Sequence, residues 1–215
     1  LAMAASIRGF KIKLIMPETA SIERIKTMKA YGAEVILVTK EQDMEGARDL
    51  AIEMSNNGEG YILNQFSNKS NYLAHYDTTG PEIWSQTDEK ITHFISAMGT
   101  TGTITGVSRF LKEKNNKVKI IGVQPTEGSR IPGIRRWKPE YVPEIFQRAI
   151  VDQIIDISQQ DAEISMEHLS QRNGLFVGVS AGANVHIAKK IASELENSII
   201  VTILCDRGDR YLSKI

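Results

Sequence analysis

Ile91-Thr92-His93-Phe94-Ile95-Ser96-Ala97-Met98 runs directly into Gly99-Thr100-Thr101-Gly102-Thr103, and Ile104 to Lys114 follows. An apolar, β-branched run that delivers the backbone to a Gly/Thr loop, with an amphipathic stretch beyond it, reads as strand, loop and helix. The first N–H groups of such a helix have no intrahelical acceptors, and the helix dipole leaves that end slightly positive. Gly99 and Gly102 allow the backbone to approach an anion closely, while Thr100, Thr101 and Thr103 can add hydroxyl donors. That is the chemistry of a phosphate cradle. No Gly-Lys-Ser/Thr follows, so the loop is not the NTPase P-loop, and a phosphate monoester is the simplest ligand. Two other readings stand beside this one. The stretch can be an ordinary joint of small residues, or the turn of a dinucleotide site, which favours an acidic residue at the end of the next strand. Here Val118 to Gln124 ends in Gln124-Pro125, with Glu127 beyond it.

Outward from the cradle, strand and helix signals alternate. Residues 12–16 form a short apolar strand closed by Pro17, and Ser21 is placed to cap a helix to about Tyr31, stopped by Gly32. Ala33 to Val38 is continuously apolar, as in a strand buried on both faces. Met44, Ala47, Ala51 and Met54 recur at helical spacing, and Tyr61 to Leu63 reads as the start of another strand. Residues 64–76 are polar and read as a hinge or binding loop, and a helix centred on Pro81-Glu82-Ile83-Trp84 follows. After the strand at 118–124, a long loop over 125–148 carries Arg135-Arg136-Trp137, and loops of that length are often functional. A strand to Ile157, a helix capped by Ser158 and ended by Gly174, and a short strand over Leu175–Val179 come next. A helix from Ser180 and a last buried strand, Ile199 to Leu204, complete the order. The expected fold is α/β, with two open, largely parallel sheets covered by helices on both faces. The expected division is a smaller lobe at 1–64 and a larger one at 65–215.

Charge is balanced, 26 Lys+Arg against 26 Asp+Glu, which gives no basis for binding nucleic acid or an anionic membrane surface. No apolar run is long enough to span a bilayer. One cysteine excludes an internal disulfide and suits a reducing, cytoplasmic compartment. His75, His93, His168 and His186 lack ligand spacing, so no metal site is expected. The first residues, Leu1-Ala2-Met3-Ala4-Ala5-Ser6, read as a helix entered partway, the expectation being a chain whose front is missing.

Ligands of open parallel sheets bind beyond the carboxyl ends of the strands. Three stretches are expected to meet there: the cradle at 99–103, Ser180, and Cys205-Asp206. Gly178-Val179-Ser180-Ala181-Gly182 has the spacing of a nucleophile elbow, but no base is apparent, and the Ser180 hydroxyl serves equally as a helix cap. Cys205 by itself reads as a small buried residue, and the charges from Asp206 to Arg210 as a surface network.

Several of these stretches together resemble the cysteine synthases, which are fold-type-II pyridoxal-phosphate enzymes related in fold to the tryptophan synthase β chain. The resemblance rests on Pro17-Glu18-Thr19 with Ser21-Ile22-Glu23-Arg24, Thr79-Gly80-Pro81-Glu82-Ile83-Trp84, the Gly99–Thr103 loop, Gly178 to Gly182, and Cys205 to Ser213. It spans essentially the whole chain. The second threonine of the loop, Arg135-Arg136-Trp137 and Cys205-Asp206-Arg207-Gly208-Asp209-Arg210 resemble the B-type members.

The resemblance implies a cofactor, pyridoxal 5'-phosphate, whose phosphate Gly99, Thr100, Thr101, Gly102 and Thr103 bind and whose ring nitrogen Ser180 meets. A neutral hydroxyl there does not keep that nitrogen protonated, which favours β-elimination over transamination. It further implies that Gln65 lies near the substrate carboxylate and that Arg135, Arg136, Cys205 and Asp206 line the second-substrate side. The implied reaction replaces the acetate of O-acetylserine by sulfide, or by thiosulfate in the B-type, in a cytoplasmic homodimer. The family's Schiff-base lysine belongs to a motif that no lysine here matches. It is expected upstream of Leu1, so no catalytic residue is assigned within the chain, and 1–215 alone is expected to be inactive. Alternatives are an O-phosphoserine-using or cystathionine β-synthase-like enzyme of the same fold type, or a truncated, non-catalytic binding protein.

Overall fold

The computed structural model describes residues 1–214. The chain divides into two compact units, Leu1–Leu63 joined by the residues from Asp209 on, and Asn64–Gly208. The first unit holds α1 (Ala2–Arg8), β1 (Lys13–Pro17), α2 (Ile22–Ala30), β2 (Glu34–Val38) and α3 (Asp43–Asn56). β1 and β2 pair in parallel, from Lys13 opposite Glu34 to Pro17 opposite Val38. Gly32, at φ 79°, makes the left-handed turn that ends α2 and feeds β2.

Three expectations change here. Val38 is buried but Leu37 is exposed, so β2 is covered on one face only. Ser21 precedes α2 without capping it, because its hydroxyl donates to the Arg210 carbonyl at 2.6 Å. Glu23 likewise accepts from the Ser213 N–H at 2.7 Å, and Arg24 donates to the Tyr211 hydroxyl, so the chain's last residues pack on the unit built by its first. Tyr61 to Leu63 forms no strand. Among the described residues no strand pairs with it, and Tyr61 is exposed.

The second unit contains α4 (Lys69–Ala74), a π-helical turn at His75–Thr79, α5 (Gly80–Gln86), β3 (His93–Ala97) and α6 (Gly102–Lys114). β4 (Lys119–Pro125), β5 (Gln153–Ile157), α7 (Gln159–Asn173), α8 (Val179–Ala192) and β6 (Ile200–Thr202) complete it. Its sheet runs β5-β4-β3-β6 with every pairing parallel. Successive strand residues face opposite sides. Phe94 and Ile120 therefore pack with Ile104, Val107 and Leu111 of α6, while Ile95 and Ile121 pack with Ile134, Ala183 and Ile187 on the other face. Burial on both faces is why β3 and β4 read as unbroken apolar runs.

Ser158 caps α7 as expected, accepting from the Asp161 N–H at 3.1 Å, and Gly174 follows in the left-handed conformation. The polar stretch over 64–76 is not all loop, since it contains α4, capped by Asn68 accepting from the Ser70 N–H at 2.9 Å. Six residues are too few to show a period. Leu175–Val179 is not a strand: Val177 makes one antiparallel bridge to Arg207, and α8 begins at Val179.

Asp152 ties α6 to the sheet edge. It accepts from the Ile120 N–H at 2.8 Å, and one of its oxygens lies 2.7 Å from the Lys112 ammonium. Burial opposes its ionisation, but Lys112 and the Ile120 N–H outweigh that and hold the carboxyl below its ordinary value of 3.8. A depressed carboxylate stabilises the fold above its unfolded pKa, and that contribution is lost as pH falls through the folded value. Asp152→Ala is therefore expected to cost about 2 kcal/mol near neutral pH. Urea titrations should show the gap between variant and wild type closing below about pH 4.

Candidate functional site

Parallel pairing sets the carboxyl ends of β3, β4 and β6 at one edge, and the Gly99–Thr103 loop leaves β3 there and opens α6. Thr101 sits at φ 70° just before α6, a left-handed conformation costly for a β-branched residue. It is buried, and its Oγ1 has no hydrogen-bond partner among the described residues. An orphaned buried hydroxyl ordinarily costs stability, so its natural complement is a ligand acceptor in the loop. Gly99 and Gly102 leave bare backbone beside it. A Cβ on Gly99 would meet the Gly133 carbonyl at 2.6 Å, and one on Gly102 would collide with Asn71 Oδ1. The strained turn, the orphaned donor and the N-terminal end of α6 fit a phosphate ester.

The other two threonines are held from outside. Thr100 Oγ1 accepts from Asn71 Nδ2 at 3.1 Å and from the Gly102 N–H at 3.4 Å. Thr103 Oγ1 lies 3.2 Å from His75 Nε2, whose Nδ1 meets Thr79 Oγ1 at 2.9 Å. Partial burial pushes the His75 pKa below the usual imidazole range, which favours the neutral ring with one donor and one acceptor nitrogen.

The long loop folds back over the cradle. Arg135 N–H donates to the Met98 carbonyl at 3.0 Å, and Trp137 Nε1 donates to the Gly99 carbonyl at 2.8 Å. Trp137 also meets Phe66 edge to face at 5.4 Å, which brings the Gln65–Phe66 segment to the same place. Gly133, at φ 92°, presents its carbonyl to Gly99, and a Cβ on it would lie 3.4 Å from Ser180 Oγ. Cradle, loop and Ser180 thus meet around one glycine.

Ser180 is buried in the first turn of α8. The Gly178–Gly182 spacing is not a nucleophile elbow, since no strand precedes it. Gly182 is small because a side chain there would strike the backbone of α7 at Ala162 and Met166. Cys205 is brought alongside by main-chain bonds from Gly178 N–H to the Asp206 carbonyl, 3.0 Å, and from Gly208 N–H to the Phe176 carbonyl, 3.1 Å. It is exposed, not buried as its residue type suggests, and its sulfur accepts from Asn184 Nδ2 at 3.6 Å. Crowding by protein atoms raises the thiol pKa and the Asp206 charge adds to this, against hydrogen bonds from Ser180 and Asn184.

Arg136 is engaged elsewhere, donating from Nε to the Pro125 carbonyl at 2.9 Å and pairing with Asp156. Gln65 has an exposed side chain, and its carbonyl accepts from Asn71 Nδ2 at 2.6 Å. Among the described residues no group of three His, Cys, Asp or Glu could hold a metal ion, and no helix is long and apolar enough to cross a membrane. Asn71 and Gly133 went unnoticed in the sequence, and His75 was weighed there only as a metal ligand. A signal for Asn71 and His75 exists: they are one helical turn apart, as are the glycines they pack on, Gly102 and Gly106.

Residues 1–206 match the family model described as "Pyridoxal-phosphate dependent enzyme". The chain is 59% identical over 213 residues to "Cysteine synthase B" of Escherichia coli K12, covering 99% of this chain and 70% of that protein. It is 60% identical, with the same coverage, to "Cysteine synthase B" of Salmonella typhimurium. The crystal structure of the "O-acetylserine dependent cystathionine beta-synthase from Helicobacter pylori" superposes with a TM-score of 0.90 at 34% identity, covering 100% of this chain and 72% of that one.

Proposed function

The chain belongs to the pyridoxal-phosphate dependent enzymes, and from that premise we propose that it serves cysteine biosynthesis by β-replacement. O-acetylserine gives up acetate, and sulfide or thiosulfate takes its place at the β-carbon, yielding cysteine or S-sulfocysteine. The observation that carries this reading is the buried, unpartnered Thr101 Oγ1 in a glycine-lined turn at a helix start, in a chain 59% identical to a cysteine synthase B. When bound, pyridoxal phosphate supplies the electron sink that lets an amino acid lose its α-proton.

The residues of this chain take the following parts. Gly99 to Thr103 hold the phosphate with backbone N–H groups and hydroxyls. Ser180, in the first turn of α8 and 3.4 Å from where a Gly133 side chain would begin, offers a neutral hydroxyl to the ring nitrogen. Gln65, anchored through its carbonyl, addresses the substrate carboxylate. Arg135, Cys205 and Asp206 line the side from which the second substrate arrives. Arg136 contributes there by fixing the loop to the ends of β4 and β5, through the Pro125 carbonyl and Asp156 respectively. Trp137 and Phe66 close over the cradle and keep water from the phosphate edge. A cytoplasmic homodimer is the form in which we expect the enzyme to work.

The test is the visible absorption spectrum of the protein expressed from its native gene and purified with pyridoxal phosphate. A yellow band that shifts on adding O-acetylserine, with cysteine formed when sulfide follows, is expected. Colourless protein, or a band indifferent to O-acetylserine, would overturn the reading.

A further inference from the structure

Asn71 occupies the third position of α4, and its side-chain amide makes two donations. Nδ2 gives one hydrogen to the Gln65 carbonyl at 2.6 Å and the other to Thr100 Oγ1 at 3.1 Å. The orientation of the amide is fixed by chemistry, because a main-chain carbonyl only accepts and must face the nitrogen. Oδ1 then lies against Gly102, where any side chain would collide with it. Thr100 Oγ1 has two lone pairs and one hydrogen. Both lone pairs have donors, Asn71 Nδ2 and the Gly102 N–H at 3.4 Å, so the hydroxyl is left only with a proton to give. A phosphate oxygen, which only accepts, is the partner that suits it.

We propose that Asn71 is a positioning residue that sets the Thr100 hydroxyl as a donor to the cofactor phosphate and couples the cradle to the Gln65 substrate loop. The inference rests on the functional reading above and adds a residue to it. Coupling follows from hydrogen-bond cooperativity: a hydroxyl that donates to an anion becomes a stronger acceptor. A filled cradle therefore tightens the Thr100–Asn71 bond and, through the same amide, the hold on the Gln65 carbonyl. Linkage makes the effect reciprocal, so ordering of the Gln65 loop strengthens the grip on the phosphate. The carboxylate end of the substrate and the phosphate end of the cofactor are thereby registered by one side chain that is expected to touch neither.

The experiment uses the full-length holoenzyme with Asn71→Ala and Asn71→Ser, the second retaining a polar side chain too short to bridge both partners. Pyridoxal phosphate affinity should fall about tenfold or more in each variant, as for loss of a hydrogen bond in a charged array. The phosphorus NMR signal of the bound phosphate should shift, and KM for O-acetylserine should rise more than kcat falls. In a Thr100→Val background, Asn71→Ala should cause no further loss of cofactor affinity, because its route to the phosphate is already gone. KM for O-acetylserine should still rise there through the Gln65 arm. Wild-type affinity and phosphorus signal in a soluble Asn71→Ser or Asn71→Ala would overturn the proposal. So would an equal loss of affinity with and without the Thr100 hydroxyl, which is what a purely structural role gives. A wild-type enzyme that ignores pyridoxal phosphate or O-acetylserine would instead overturn the functional reading on which the proposal stands.

Discussion

Thr100→Ala combined with Thr101→Ala is expected to weaken pyridoxal phosphate binding on the order of 100-fold or more, since hydrogen bonds to an anion contribute about 1.5–3 kcal/mol each. The two hydroxyls act from different starting points. Thr101 Oγ1 is buried with no partner among the described residues, so in the cofactor-free protein it is a cost and not a support. Its removal should leave the cofactor-free fold no less stable, and by itself slightly more so. Thr100 Oγ1 is already bonded to Asn71 Nδ2, and its removal leaves that hydrogen to find water at a partly exposed site. Fluorescence titration with pyridoxal phosphate, set beside melting of the cofactor-free forms, reads both effects. Affinity lost without stability lost is the signature of a cradle built for an absent anion. Unchanged affinity would remove the phosphate assignment from this loop.

Gly106→Ala is expected to destabilise the fold by about 2–4 kcal/mol, the range for overpacking against atoms that cannot yield. The added Cβ would strike the Tyr72 carbonyl and come within 2.7 Å of His75 Cβ and Tyr76 N, most of it backbone of the adjoining helical segment. Helix propensity alone favours alanine by about 1 kcal/mol, so a loss identifies the steric term. Gly60→Ala, with open space around its Cα, is the control and should stay within about 0.5 kcal/mol. Denaturant unfolding measures both. Because His75 and Asn71 ride on the segment that α6 would push away, Gly106→Ala should also loosen Thr103 and Thr100 and lower cofactor affinity. Wild-type stability in Gly106→Ala would mean the two helices do not meet this closely.

Much of this protein was legible locally. Apolar runs at 91–98 and 118–124 announced buried parallel strands, because a strand covered on both faces has no polar side to show. Gly32 and Gly174 marked helix ends through their left-handed conformation, and Ser158 marked a helix start through its side-chain oxygen. The Gly99–Thr103 turn announced itself because its glycines and threonines fall in one continuous segment between a strand and a helix. Where a feature depended on neighbours within about one helical turn, spacing sufficed. The misreadings came where it did not. Tyr61–Leu63 has strand composition without a strand to pair with, and Ser21 has the identity of a cap but is bonded to Arg210.

The sequence by itself determined the alternation of strands and helices, the parallel sheets, the Gly/Thr turn that opens α6 and the resemblance that names its cofactor. Tertiary structure alone decided which hydroxyl of that turn is left buried and unpartnered, Thr101, and which is held from behind, Thr100. It also decided that Arg136 answers to Asp156, that Gly133 carries the loop back between Gly99 and Ser180, and that Asn71 joins Gln65 to the cradle. These pairings link residues far apart in the chain, fixed by sheet register and by how closely helices approach. Such contacts leave no periodic trace in the sequence, because their spacing is set by the folded path and not by the repeat of any one element.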